Sequence, residues 1–529
     1  MVVVLCSGTN PILNLTTKSK INVLMITEGT YPFNHGGVST WAHNLCNEIT
    51  NVDYTLYAIN AMVEPKPKYK LSNNVKKVIQ VPMWSAEEPF DCVYYDVKYS
   101  DVIYKRERTS TDAISQKFVP YFITFIKEIY SKEQSVTVLD DCFYNMWLFF
   151  NDYDYKVAMT SKPVWDAFTE VLKSTLPQNE LVKLSLEDVT IAMRWIYRFL
   201  IPIAIDVPKA DVSHITISGI AVLPALCLKY KYNTPILVTE HGVFIRERLI
   251  AISAADYSYF LKKMLIHFSE CITKLVYYHA AKITSVSKFN IAWQKHYGAD
   301  VNKTKVIYNG VDPNVFVPRN KPKHLENTPT VVAAARIFDL KDILTMIRTC
   351  NEVRKTIPNV QFLVYGNKDA VPEYTKECQN LIEELNLSKN FKLAGFHSTP
   401  EAIYSEGDIS ILTSISEGFP FTVIESMSCG VPVVATDVGG VSEAIDDSCG
   451  FICKPKNYIE IAEKVTLLLN DVSLRNWMAE NGRKKIQENF TIKNFIHEFE
   501  ETYELLNTKN KISKLASFPQ DEPSFTNYR

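Results

Sequence analysis

Short apolar runs alternate with longer amphipathic stretches along the chain, and that rhythm predicts its architecture before any single residue is weighed. Residues 21–27 read as a buried strand behind a polar, basic lead-in. The strand ends in Glu28-Gly29-Thr30-Tyr31-Pro32, and His35-Gly36-Gly37-Val38-Ser39 then opens a helix. Strand, glycine loop and helix are the start of a βαβ unit. Residues 53–60 read as a second strand. Residues 64–104 are irregular, with Pro65, Pro67, Pro82 and Pro89, and Asp112 to about Leu200 is aromatic and helical. These stretches predict an insertion at about 64–210 in the first α/β unit.

The alternation then resumes, with strands at 212–217, 236–239, 283–286 and 305–308 and the turn Asn309-Gly310-Val311-Asp312. Residues 318–328, with Pro318 and Pro322 among lysines and asparagines, read as a linker. A second series has strands at 330–335, 361–365, 391–393, 408–412 and 431–435. Its helices start near 340 and run over 373–385, 421–429, 457–470, 473–488 and 492–506. The predicted fold class is α/β, with two doubly wound domains (1–318 and 319–490) facing a cleft. A helix at 491–507 returns to the first domain, and 508–529 form a flexible tail. Ligands of such sheets bind at the strand C-terminal ends.

Composition narrows the function. The 529 residues carry 57 Lys and Arg against 59 Asp and Glu, and 47% are apolar, so a disordered chain is excluded and a nucleic-acid partner is not expected. The apolar run Met1 to Cys6 is too short for a secretory leader, and none is expected. The longest apolar run, Ile215 to Leu228, is broken by Ser218, Gly219 and Pro224 and is shorter than the ~20 residues that span a bilayer, so no transmembrane segment is predicted. Eleven cysteines without a CxxC pair, Cys449 and Cys453 being the only close two, fit free thiols in a reducing cytoplasm.

The segment Ser416-Glu417-Gly418-Phe419-Pro420-Phe421-Thr422-Val423-Ile424-Glu425 carries the most specific chemistry. Glu417 lies in a loop leaving a strand, and Glu425 one to two turns into the next helix. Pro420 suits the first helical turn, and the free N–H groups around it can face an anion or a sugar hydroxyl. An ionised Glu425 can accept from both hydroxyls of a ribose; the alternative is a surface glutamate beside a helix cap. Arg336 and Lys341 follow a buried strand, where basic groups and a helix N-terminus converge on phosphate; the alternative is a solvated surface pair. Asp152-Tyr153-Asp154 matches a DxD metal pattern but sits in a helical, aromatic setting and reads as chance, so no metal site is expected.

In their order, Gly36-Gly37, Asn309-Gly310-Val311-Asp312, Arg336 with Lys341, Glu417 with Glu425, and the segment Gly430 to Gly440 resemble the glycosyltransferases of family 4, from residue 21 to about 499. Glu28 to Pro32 with Gly36 to Trp41, Thr239-Glu240-His241-Gly242 with Arg246-Glu247-Arg248, and Tyr365-Gly366 before Pro372-Glu373-Tyr374 are most similar to the cytosolic members that serve bacterial Pel exopolysaccharide systems. The resemblance implies the GT-B fold of two Rossmann-like domains, the first for acceptor and the second for donor. It implies a retaining enzyme that moves a hexose from a nucleotide-diphosphate sugar, a UDP-sugar, to a saccharide acceptor in polysaccharide or glycan synthesis. No metal or other cofactor is implied, and docking to a membrane synthase complex is. Arg336 and Lys341 would neutralise the diphosphate, which the Gly36-Gly37 backbone approaches, and Glu425 would hold the ribose. Glu417 and the backbone of Gly418, Phe419, Pro420, Phe421 and Thr422 would hold the sugar, with His241 on its other side. Glu28, Tyr31, Glu240 and Arg246 are candidates for acceptor or loop contacts. Two positions depart from the family pattern: Ala335 stands where glycine precedes the arginine, and Asp342 where glycine follows the lysine. Two other readings stay open, a catalytically silent sugar-nucleotide-binding component of a membrane synthase and a nucleotide-sugar epimerase of the same fold.

Overall fold

The computed structural model describes residues 20–63, 65–89 and 97–516. The leader-like run Met1 to Cys6 and the last part of the predicted tail, 517–529, lie outside the described residues. The apolar runs become two parallel sheets. In the first, β1 (Ile21–Glu28), β2 (Val52–Ile59), β3 (Val75–Val81), β4 (Val212–Ile215), β5 (Ile236–Glu240), β6 (Ala280–Ser285) and β7 (Thr304–Val306) lie in the order β3-β2-β1-β4-β5-β6-β7. In the second, β8 (Thr330–Ala334), β9 (Gln361–Tyr365), β10 (Phe391–Gly395), β11 (Ile409–Leu412), β12 (Val433–Thr436) and β13 (Gly450–Cys453) lie in the order β10-β9-β8-β11-β12-β13. Each order reverses once, between β1 and β4 and between β8 and β11, and a doubly wound sheet opens its ligand crevice at that reversal.

The period-two alternation of a strand sends Leu24 and Ile26 to one face of the first sheet and Val23 and Met25 to the other. The first face is roofed by the insertion, which among the described residues has eight α-helices, from Tyr99–Arg108 to Leu186–Leu200. Its phenylalanines join the sheet residues in one continuous core, and Phe199 stacks on Phe268 of the helix Tyr259–His279 with ring centroids 4.2 Å apart. The insertion is therefore a layer of the first lobe and not a separate body. The second face is covered by the helix Gly37–Glu48 and by the last helix among the described residues, Ile492–Ala516, whose Phe495, Phe499 and Tyr503 are buried against Trp41 and Met25. The Tyr503 hydroxyl lies 2.7 Å from Nδ1 of the buried His214.

Four expectations change. The stretch taken as irregular contains β3, so the insertion begins after Val81 and not at 64. Strand β13 adds an edge to the second sheet that was not foreseen. The tail is helical to Ala516, and Asn510 Nδ2 donates to the Asp211 carbonyl at 3.3 Å. The 318–328 segment is not a free linker: Lys321 Nζ donates to Asp408 Oδ2 at 2.6 Å and to the Thr328 carbonyl at 2.6 Å, and Leu325 is buried in the second lobe. The chain crosses between lobes at a joint just before it. Val311 N donates to the Phe490 carbonyl, and Ile492 N donates back to the Val311 carbonyl, both at 2.9 Å, so the outward and return crossings are stitched together. Gly310 permits this approach, since a Cβ there would stand 2.4 Å from the Thr491 carbonyl oxygen.

Candidate functional site

A cleft of about 470 Å³ lies between the strand C-terminal ends of the two lobes. The first lobe contributes Glu28 at the end of β1, Gly36 and Gly37, the segment after β4, and Glu240 and His241 where β5 ends. Arg336 from the turn after β8, Lys341, and residues 416–422 with Glu425 form the facing wall. Arg336 and Lys341 thus share one cleft, as do the two glutamates. Gly36 holds φ 151°, a backbone state that side chains disfavour.

The lobes meet across Gly418. A Cβ at that position would fall 1.6 Å from the His241 carbonyl oxygen, so only glycine lets the two backbones touch. Asn309 Nδ2 donates to the Phe419 carbonyl at 2.7 Å, which fixes the loop from below. Glu443 of the second lobe accepts from the N–H groups of Lys288 and Phe289, at 2.9 and 3.1 Å, and from the Tyr308 hydroxyl at 2.9 Å.

On the second-lobe wall the two glutamates differ. Glu417 Oε1 accepts from Lys341 Nζ and from the Ser414 hydroxyl, each at 2.5 Å, so the lysine is ion-paired within its own wall. Glu425 Oε2 accepts from the Tyr404 hydroxyl at 2.7 Å. Burial pushes the Glu425 carboxyl up to about 7, with that hydrogen bond opposing. Arg336 lays its guanidinium over Phe338, 4.6 Å from the ring centroid, which sets its direction. The acid that follows Lys341 has a local structural role. Asp342 sits in the left-handed region (φ 46°, ψ 56°), where aspartate is among the better-tolerated residues, and its carboxylate caps the helix Ile343–Thr356 through Thr345 N and Oγ1, at 3.2 and 2.7 Å.

On the first-lobe wall, Trp41 meets the His241 ring edge-on at 4.6 Å, and burial lowers the imidazole to about 3. His241 is therefore neutral near pH 7, and its buried Nε2 has no partner. Glu240 is buried at the cleft floor; its Oε2 accepts from the Tyr277 hydroxyl at 3.0 Å and from Gln294 Nε2 at 2.7 Å, while its Oε1 has no partner. Burial raises the Glu28 carboxyl against the opposing charge of Arg248 and the indole N–H of Trp84, and its buried Oε2 has no partner.

Two candidates leave the cleft. Tyr31 is fully buried in the core beneath the glycine loop, its ring 5.8 Å from His43 and 5.5 Å from Tyr69, because an aromatic in a tight turn packs inward. Arg246 is not on the cleft wall; its Nη1 donates across the lobes to the Ser416 hydroxyl at 2.9 Å. Asp154 of the DxD pattern caps the helix Tyr155–Met159 and pairs with Arg106. Sequence reasoning did not find Ser414 and Tyr404, which hold the two glutamates from elsewhere in the chain; neither lies in a motif.

Residues 21–302, just over half of the chain, match the family model described as "Domain of unknown function (DUF3492)", and residues 317–485 match "Glycosyl transferases group 1". Among curated proteins, the chain is 26% identical over 288 residues to a phosphatidylinositol N-acetylglucosaminyltransferase component from Homo sapiens, covering 54% of each chain. It is 29% identical over 194 residues to D-inositol 3-phosphate glycosyltransferase of Paenarthrobacter aurescens, covering 35% of this chain and 47% of that one. The chain thus spans about half the length of the curated relatives it matches. Among solved structures, HepE of Anabaena in complex with UDP superposes with a TM-score of 0.58 at 14% identity, over 91% of this chain and 99% of that one. Sucrose-phosphate synthase of Thermosynechococcus elongatus gives 0.59 at 15%, over 93% and 100%. The architecture of two facing parallel-sheet lobes is the GT-B fold.

Proposed function

The chain belongs to the DUF3492 family and carries a glycosyl transferases group 1 domain, and from that premise we propose that it is a retaining, metal-independent hexosyltransferase. It moves a sugar from a nucleotide diphosphate, UDP, to a saccharide acceptor in polysaccharide or glycan synthesis. The reading places it in the cytoplasm, docked to a membrane synthase as in Pel-type systems; no helix among the described residues is long and apolar enough to cross a membrane. One observation carries the reading. Two cations, a helix N-terminus and a buried carboxylate share the second-lobe wall and face an uncharged imidazole and a free carboxylate oxygen.

That wall suits a departing diphosphate. Cleaving the anomeric C–O bond leaves negative charge on phosphate, and fixed cations stabilise that charge more than they stabilise the intact donor. Arg336 supplies a rigid fork. Lys341 exchanges Glu417 for phosphate when donor binds, and Glu417 turns to the sugar hydroxyls. The amides from Gly418 to Thr422 add partial positive charge at the helix start. Glu425 accepts from the ribose hydroxyls. Neutral His241 hydrogen-bonds the sugar without adding charge beside the reacting carbon. The acceptor hydroxyl attacks from the face that the diphosphate leaves, and a phosphate oxygen takes its proton, which retains the anomeric configuration.

The test has two steps. UDP-glucose, UDP-N-acetylglucosamine and GDP-mannose are titrated calorimetrically, and UDP or GDP release is then followed. Turnover supports transfer, interconverted sugar supports an epimerase, and binding without turnover supports a silent component of a synthase. Arg336→Ala and Lys341→Ala each lower transfer by about two to three decades with the melting temperature nearly unchanged. Near-normal turnover in both variants removes the diphosphate assignment.

A further inference from the structure

A second groove, of about 860 Å³, adjoins the cleft. Glu28, Ile217, Phe244, Glu247 and Leu340 line both, so the two spaces adjoin along one wall. Its far wall comes from the insertion. Trp195, on the helix Leu186–Leu200, and Trp84, just after β3, stand with ring centroids 5.8 Å apart, both half-buried. Arg198 donates to the Met83 and Ser85 carbonyls at 2.6 and 2.8 Å, clamping the backbone on either side of Trp84. The indole is thereby held in place before any ligand arrives. Arg194 is exposed on the same wall, and Arg248, 5.7 Å from the Phe244 ring centroid, reaches it from the other side. At the junction with the cleft lies the buried, unpartnered Oε2 of Glu28.

We propose that this groove is the acceptor channel and that it takes a saccharide chain. The inference rests on the transferase reading above and deepens it. A pyranose ring has an apolar face that stacks on an indole and a rim of hydroxyls that accept from guanidinium groups. The groove offers both surfaces side by side. The lining is mainly apolar but is interrupted by Glu28, Arg194, Glu247 and Arg248, which suits the two kinds of surface on a sugar ring better than an unbroken lipid tail. Ligand sites of about 300–1,000 Å³ hold drug-sized molecules, so the groove has room for about two to three rings. The terminal ring reaches Glu28, whose carboxyl accepts from a neighbouring hydroxyl of that ring and leaves the attacking hydroxyl free to give its proton to phosphate. The insertion thus builds the acceptor site as well as roofing the sheet.

The probes are the N-acetylglucosamine hexamer and hexagalacturonate, one neutral and one acidic, each titrated calorimetrically against the full chain saturated with UDP. Saturable binding of at least one is expected. Trp195→Ala weakens it about tenfold, the order of a lost aromatic contact, and the exposed Arg194→Ala weakens it without risk to folding. UDP affinity stays at the wild-type value in both variants. If neither hexamer binds, or if both variants bind as the wild type does, the channel assignment is overturned while the donor site stands. If the wild type fails to bind UDP, the transferase reading falls first and this inference with it.

Discussion

Replacing Glu425 by glutamine should move stability and donor affinity in opposite directions. Burial raises this carboxyl from its ordinary 4.5 to about 7. Between those values the folded chain keeps a proton that the unfolded chain releases, so stability falls as pH rises through the window and stays low above it. The window of about 2.5 pH units, at about 1.4 kcal/mol each, sets an upper bound of about 3–4 kcal/mol. The side chain is partly open to the cleft, and solvent screening reduces this to about 2 kcal/mol. Urea midpoints of the wild type and Glu425→Gln should therefore coincide near pH 4, with the variant more stable by about 2 kcal/mol at pH 8. UDP binding runs the other way. Hydrogen bonds to a charged acceptor contribute about 1.5–3 kcal/mol, so the variant should bind about ten- to a hundredfold more weakly at pH 8. Wild-type affinity should also decline as pH falls below 7, because the ribose requires the ionised acceptor, and the variant's should not. Wild-type affinity that is flat between pH 6 and 8, or a variant that binds UDP normally, would refute the ribose assignment.

Two further outcomes test the architecture. Gly418→Ala places a methyl group 1.6 Å from the His241 carbonyl oxygen, so the lobes must part. Donor affinity should drop at least about tenfold, as expected when a strained contact of 1–3 kcal/mol is forced, and the scattering radius should grow; an unchanged radius and affinity would count against direct contact of the lobes. Phe499 is fully buried and meets Trp41 edge-on at 5.4 Å, and Phe499→Ala should lower unfolding stability by about 3–5 kcal/mol in urea titration. A loss below about 1 kcal/mol would mean that the last helix is not part of the first lobe's core.

The buried central strands were legible because parallel strands covered on both faces are nearly continuous apolar runs, as in Ile21–Glu28 and Gln361–Tyr365. β3 was not, because VKKVIQV is an edge strand with its lysines in solvent, and its composition is that of a loop. β13 has four residues, too few to show a period. The helical stretch 508–516 looks like a tail by composition; its order comes from tertiary contacts such as Asn510 to Asp211. The same division holds in the cleft. Arg336, Lys341, Glu417 and Glu425 lie in local motifs and could be read directly. What holds them could not: Tyr404 reaches Glu425 from 21 residues away, and Ser414 is one of many serines. For Tyr31 the sequence left acceptor and loop contacts open, because a motif position does not reveal whether its ring turns toward ligand or toward the core; the ring packs under the loop.

The crossing of the last helix has a consequence for biosynthesis. Phe499 and Tyr503, which cover Trp41, leave the ribosome about 460 residues after it. At about 5–20 residues per second, the nascent first lobe waits roughly half a minute to a minute and a half with one apolar flank bare. The flank is open to non-native apolar contacts in the interval, and a stop codon just before this helix would leave it uncovered for good.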